Sequence, residues 1–213
     1  MLVFDVETTA DPTAIPLLPP CEAPGNFRDP ETIATAIAER TAERNSRLAL
    51  DPDCCRIVAL GVTDTDGLVS VTLCPDVDVE QAALVTFWGA WSTPGSQPIG
   101  YNCVAFDLPV LIQRSRLLDV WMPRITLRKY GSPDCTDLML DLSHNGLTGY
   151  KSLTFWCRRF ALDVPEDQTS GKDGAALVAA GQWDTVAAHC HTDVVRTLAL
   201  ARRVHPWMWE CAV

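Results

Sequence analysis

The sequence predicts an α/β fold, a mixed sheet with helices on both of its faces. Three observations lead there. Short runs rich in β-branched and aromatic residues occur at 2–6, 56–62, 68–74 and 97–101. Longer stretches of helical period alternate with them, which is the layer pattern of an α/β domain. The chain has 213 residues, 47% hydrophobic and 21% charged, enough for one domain with a full core.

The first strand, 2–6 (LVFDV), is followed by a segment too rich in proline for regular structure, with Pro12, Pro16, Pro19, Pro20, Pro24 and Pro30. Asp29-Pro30-Glu31 is a helix start, with Asp29 as cap and Pro30 in the first turn. That helix runs to about Leu48, with Ile33, Ala34, Ile37 and Ala38 on one face, and makes residues 10–52 a helical insertion in a single domain spanning 1–213. Strands at 56–62 and 68–74 form a hairpin across the Asp64–Gly67 turn. A helix at 80–91, a short buried strand at 97–101 and a helix at 106–118 follow. Residues 119–135 are irregular. A helix opens at Asp137, capped by that residue or by Thr136. Further helices cover 153–160, 174–180 and 183–204, with a polar loop at 163–173.

Nine cysteines, an odd number, are scattered without a CxxC pair, so they read as buried free thiols rather than a zinc site or a disulfide framework. No secretory signal opens the chain and no run of 18 apolar residues occurs, which points to a cytoplasmic protein with no membrane span. The net charge of −10 excludes tight non-specific duplex binding. The charge is uneven: residues 108–172 carry nine Lys/Arg against seven Asp/Glu, and the remainder eight against twenty. A divalent metal held by clustered carboxylates would offset part of that acidity.

Three places can carry chemistry. Asp5 and Glu7 are two apart in a strand, so both leave the same face. Two carboxylates side by side are costly without a cation, and oxygen ligands suit Mg²⁺ and Mn²⁺. A solvent-facing strand end would also explain them. Asp107 stands where the strand at 97–101 gives way to a helix, a usual position for ligand groups in open α/β sheets and also for an ordinary helix-capping Asp. His189 and Asp193 are four apart on a largely apolar helix, either a functional pair or a structural hydrogen bond, whereas His191 points elsewhere, to the surface.

Taken in order, Asp-x-Glu in a first strand, Asn-x-x-x-Phe-Asp at 102–107 and His-x-x-x-Asp in a last helix resemble the DEDD superfamily of 3′–5′ exonucleases. Within it the chain is most similar to the predicted exonucleases related to the proofreading domain of family B DNA polymerases. FDLPVL at 106–111, DLM from Asp137, the Asp173-Gly174 step, HCHTDVVRT at 189–197 and the early Asp29-Pro30-Glu31 helix leading to RIVALGV share in the resemblance, which extends from residue 2 to about 204. One departure stands out. The polymerase-like branch has Tyr four positions before its last Asp, and the other branch has His five before it. Here a histidine, His189, occupies the tyrosine spacing.

The resemblance implies a ribonuclease H-like fold and metal-dependent hydrolysis of phosphodiester bonds at the 3′ end of single-stranded nucleic acid, releasing nucleoside monophosphates, with DNA favoured. Two Mg²⁺ or Mn²⁺ ions roughly 3.5–4 Å apart would bracket the scissile phosphate. Asp5 would bridge both, Glu7 and Asp193 would complete the nucleophile-side site, and Asp107 would hold the second ion through water. His189 would align and deprotonate the attacking water, since an imidazole takes a proton near neutral pH. Thr8 and Thr9 are candidates to touch the terminal nucleotide, Asn102 and Phe106 to line the strand's passage, and Lys151, with Arg158 and Arg159, to meet phosphate. Core packing would equally explain Phe106 and most of the seven Trp residues, and a solvated face the basic ones. The implied partner is a 3′ end, with replication or repair proteins acting in trans in any proofreading role. The alternatives are RNA 3′-end trimming and an inactive exonuclease fold serving as a binding module.

Overall fold

A computed structural model describes residues 1–64, 66–129, 131–166 and 174–210. Its centre is β1 (Leu2–Ala10), longer than the five-residue strand expected because the Thr-rich segment 8–10 continues the pairing. β2 (Cys55–Thr63) and β3 (Val69–Leu73) add antiparallel on one side. β4 (Pro98–Gly100) and β5 (Thr136–Asp137) add parallel on the other, giving the order β3-β2-β1-β4-β5. β5 was not anticipated. Asp137 is also the helix cap that the sequence predicts: its carboxylate accepts from the Met139 and Leu140 amides at the start of α4 (Leu138–Leu142). A two-residue strand carries no period to detect.

Alternation along β1 divides the core. Leu2, Phe4 and Val6 point to one face, covered by α2 (Val77–Trp91) and α3 (Asp107–Leu117). Phe4, Phe87, Trp88 and Trp91 meet there mostly edge to face, a geometry worth about 0.5–1.5 kcal/mol per pair beyond burial. Val3 points to the opposite face, where Val194, Leu198 and Ala201 of α7 (Trp183–Val204) cover it. A bulge opposite Glu7 and Thr8 turns two consecutive β2 residues, Val58 and Ala59, toward α7. α7 lies close to the sheet because position 61 is glycine: a Cβ there would stand 2.7 Å from Val194 Cγ2 and 2.8 Å from Cys190 Sγ.

The insertion between β1 and β2 holds α1 (Pro30–Arg47), capped as expected by Asp29, whose Oδ2 accepts from the Thr32 amide at 2.8 Å. The expected apolar face is thinner than predicted. Ile33 and Ile37 are half-buried, Ala34 and Ala38 are exposed, and α1 buries no residue, because a four-residue stripe ending in alanines offers little area to cover. Arg40 and Arg44 instead tie the helix to the Glu22 and Pro19 carbonyls of the proline-rich segment. α5 (Leu153–Arg159) and α6 (Gly174–Ala179) lie where helices were expected, and α8 (Trp207–Glu210) follows α7. Thr65 of the hairpin turn, Lys172, Asp173 and most of the predicted 163–173 loop lie outside the described residues. Among the tryptophans, Trp88 and Trp91 are core, whereas Trp121 and Trp207 are exposed. The eight described cysteines are free thiols, six of them buried. Among the described residues, no helix is long and apolar enough to cross a membrane.

One buried ionic group lies under the sheet. Arg114, two turns along α3 from Asp107, donates to both Glu80 oxygens at 2.7 and 2.8 Å and to Asp11 Oδ2 at 2.6 Å. Glu80 Oε1 also accepts from the Ile57 amide beside the bulge. Burial alone would raise Asp11, but hydrogen bonds from Thr13 and Arg114 hold it below its ordinary value.

Candidate active site

β4 pairs with β1 only at Leu2 and Val3. Beyond that point, among the described residues, no strand lies on the β4 side of β1. Asp107, opening α3, reaches this bare edge, and its Oδ1 accepts from the Val6 amide at 3.1 Å. One carboxylate thus stands in for the missing strand and is brought beside Asp5 and Glu7.

Asp5 and Glu7 project toward α7, as their spacing predicts. The Asp5 carbonyl accepts from Cys190 Sγ at 3.8 Å, and His189 Nε2 lies 3.3 Å from Glu7 Oε1. His189 is therefore buried against Glu7, while His191 is exposed as expected. Asp193, one turn further along α7, lies 3.7 Å through Oδ1 from Arg196 Nη1. α6 closes the far side of Glu7: a Cβ on Gly174 would stand 3.7 Å from Glu7 Oε2.

The electrostatics follow from this crowding. Asp5 is pushed well above the carboxylate range, first by burial and then by the charges of Asp107, Glu7 and Asp193. Asp107 rises to about 7, mainly through burial, with Asp137 and Asp193 adding to it against the hydrogen bond from Val6. Burial, then the charges of Asp5, Glu7 and Asp193, push the Cys190 thiol up. Asp5 Oδ2 is covered and has no hydrogen-bond partner among the described residues. A buried oxygen without a donor, ringed by three further carboxylates, fits a hard divalent cation bound through oxygen. Among the described residues no three such side chains converge into a ready-made cation cage. The acidic groups instead act on one another through their charges.

The other candidates are spread around this centre. Thr8 is buried and donates its hydroxyl to the Ala49 carbonyl of the 3₁₀ turn Leu48–Leu50, so that hydroxyl is committed to the insertion. Thr9 is half-buried. Asn102 is half-buried in the left-handed region at φ 61°, a conformation asparagine tolerates better than most residues. Phe106 is half-buried and packs against the α2/α3 core. Lys151 is exposed, its ammonium 5.9 Å over the Phe155 ring, and its carbonyl accepts from the Tyr101 hydroxyl at 2.6 Å. Sequence reasoning placed no buried carboxylate at Asp137 or Glu80 among residues that shape the site. The DLM similarity was the one available signal for Asp137.

The same architecture occurs in a family B DNA polymerase from the hyperthermophilic archaeon Pyrobaculum calidifontis. At 18% identity the match covers 97% of this chain and 24% of the polymerase, with a TM-score of 0.65. This chain thus spans about a quarter of that protein's length and shares its ribonuclease H-like α/β fold. A structure of exonuclease I aligns with 13% identity over 98% of this chain and 42% of the other, at a TM-score of only 0.43. The chain belongs to the family described as predicted 3′–5′ exonucleases related to the exonuclease domain of PolB, whose model matches residues 50–206. That match includes Asp107, His189 and Asp193 and begins after β1, so Asp5 and Glu7 lie outside it. The comparison with curated proteins found no match.

Proposed function

We propose that this chain is a divalent-metal-dependent 3′–5′ exonuclease that hydrolyses single-stranded nucleic acid from its 3′ end, with DNA as the favoured substrate. The observation that carries the reading is the carboxylate group around Asp5, buried and mutually repelling, with Asp5 Oδ2 lacking a donor among the described residues. Membership of the exonuclease family and the fold shared with a DNA polymerase support it.

Asp5, Glu7, Asp107 and Asp193 would hold Mg²⁺ or Mn²⁺. The ions, when bound, supply charge stabilisation to the phosphoryl group and acidify the attacking water. His189 would accept the water's proton as the water oxygen attacks phosphorus and the bond to the 3′ oxygen breaks, the departing oxygen taking a proton from solvent, and the charge of the neighbouring Glu7 would steady the imidazolium so formed. Asp107, fixed to the Val6 amide through Oδ1, would turn its other oxygen to the metal. Thr9 would border the terminal nucleotide, Asn102 and Phe106 would line the passage of the strand, and Lys151, its ammonium over the Phe155 ring, would offer a cation beside a stacking face.

The test uses 3′- and 5′-labelled single-stranded DNA and RNA with Mg²⁺, Mn²⁺ or chelator. Stepwise shortening from the 3′ end, faster on DNA, abolished by chelator and by Asp5→Ala, is expected. Cutting that persists in chelator, or an Asp5→Ala variant of full activity, would remove the mechanism. Faster shortening of RNA would transfer the reading to RNA trimming.

A further inference from the structure

We propose that Asp137 is a positioning residue for Asp107: its carboxylate fastens the 101–106 turn to the end of β5 and thereby sets where Asp107 meets β1. The metal-binding consequence rests on the function proposed above, whereas the positioning itself does not.

Pairing between β4 and β5 ends at Gly100 and Asp137. Past Gly100 the chain leaves the sheet, passes through Asn102 with φ 61°, and must still deliver Asp107 to the Val6 amide. Among the described residues no strand guides it there. The Asp137 side chain does so instead. Oδ1 accepts from the Asn102 amide at 3.0 Å, and Oδ2 accepts from the Val104 amide at 3.0 Å. On its other side Oδ1 accepts from the Met139 and Leu140 amides at 2.9 and 3.3 Å. One buried carboxylate thus joins the start of α4 to the turn that opens α3.

The turn closes on itself from that anchor. The Ala105 and Phe106 amides both donate to the Asn102 carbonyl, and the Leu108 amide donates to the Cys103 carbonyl at 2.8 Å. A displacement at Asn102 or Val104 is therefore passed directly to the first turn of α3. Both oxygens of Asp137 are occupied by backbone donors, so it is not a spare metal ligand in this arrangement. An amide in its place has one acceptor oxygen, and its NH₂ would face a backbone N–H.

The experiment is amide hydrogen exchange of Asp137→Asn against the parent chain, together with Mn²⁺ titration. The Val104 amide is expected to lose about tenfold in protection, and so is the Val6 amide, whose acceptor is Asp107. Val6 is on another strand, and a merely local loosening of the turn would leave it unchanged. Mn²⁺ affinity is expected to fall by about ten- to a hundredfold, as it does when groups that orient a metal's ligands are altered. Loss of protection at Val104 with Val6 unchanged would overturn the proposal. If Asp137→Asn does not fold, the parent chain is examined in sub-denaturing urea. There Val6 and Val104 are expected to exchange through one opening event with a common urea dependence, and separate events would overturn the proposal. A parent chain that binds no Mn²⁺ would sink the proposed function while leaving the Val6 result readable.

Discussion

α3 carries a buried acidic cluster at each end, and the two are opposites. At Arg114, Glu80 and Asp11 share one guanidinium through three charge-assisted hydrogen bonds. At Asp107, two turns away, burial and neighbouring acids push Asp107 to about 7 and Asp5 well above its usual range, and Asp5 Oδ2 has no donor among the described residues. A cluster whose cation is covalently part of the chain is complete and serves the fold. A cluster left protonated or repelling is complete only with something added. The difference separates structure from function on one helix without reference to any relative.

The contrast can be broken most sharply at Asp5. Asp5→Asn is expected to cut turnover on single-stranded DNA by roughly 10³-fold, about 4 kcal/mol of transition-state stabilisation, while leaving the melting temperature of the metal-free chain unchanged or higher. A variant that unfolds would place Asp5 with the structural cluster instead. Arg114→Met is expected to do the reverse. Leaving Glu80 buried without its partner costs about 3–5 kcal/mol in urea denaturation, with activity per folded molecule retained.

A third, smaller effect concerns pH. Asp5 and Asp107 keep protons in the folded chain where the unfolded chain has released them. The contribution of Asp107 to stability is thus full below about pH 4 and is lost as pH rises through about 7, and Asp5, raised by burial and the neighbouring acids, acts in the same sense. Asp11, held low, acts in the opposite sense and only at more acidic pH. Thermal melts in chelator should therefore give a melting temperature a few degrees lower at about pH 7.5 than at about pH 5, and Mn²⁺ should erase the gap. A chelated chain equally stable at both would contradict the repulsion. The smallest expected change is His189→Tyr, which should retain turnover within about a hundredfold, because a phenol can still orient water, whereas His189→Ala should fall further. Steady-state rates that rank Tyr no better than Ala would show that the imidazole is required for more than orientation.

Local pattern made much of this visible in advance. Asp5 and Glu7 were placed on one face by strand alternation, and His189 and Asp193 on one helix by spacing, because both depend only on backbone geometry. The Asp29 cap and its proline were legible for the same reason. Asp107 was located, but its bond to Val6 was not, since it depends on β4 stopping after three residues. Glu80 lies in a helix that the sequence shows, but only tertiary packing brings it against Arg114. The sequence offers Thr8 to the substrate, yet its hydroxyl donates to the carbonyl of Ala49, forty-one residues away. His189 was expected to face either water or Asp193, and the structure sets it against Glu7. What escaped was everything decided by contacts between distant segments.

The glycine at 61 gives the sheet an unexpected genetic property. It is remote in sequence from every acidic residue of the site and offers no functional group. Yet any side chain there must displace Val194 and Cys190, the neighbours of Asp193 and His189 on α7. A search for inactive variants would therefore recover changes in the middle of β2, and a survey of chemistry alone would never explain them.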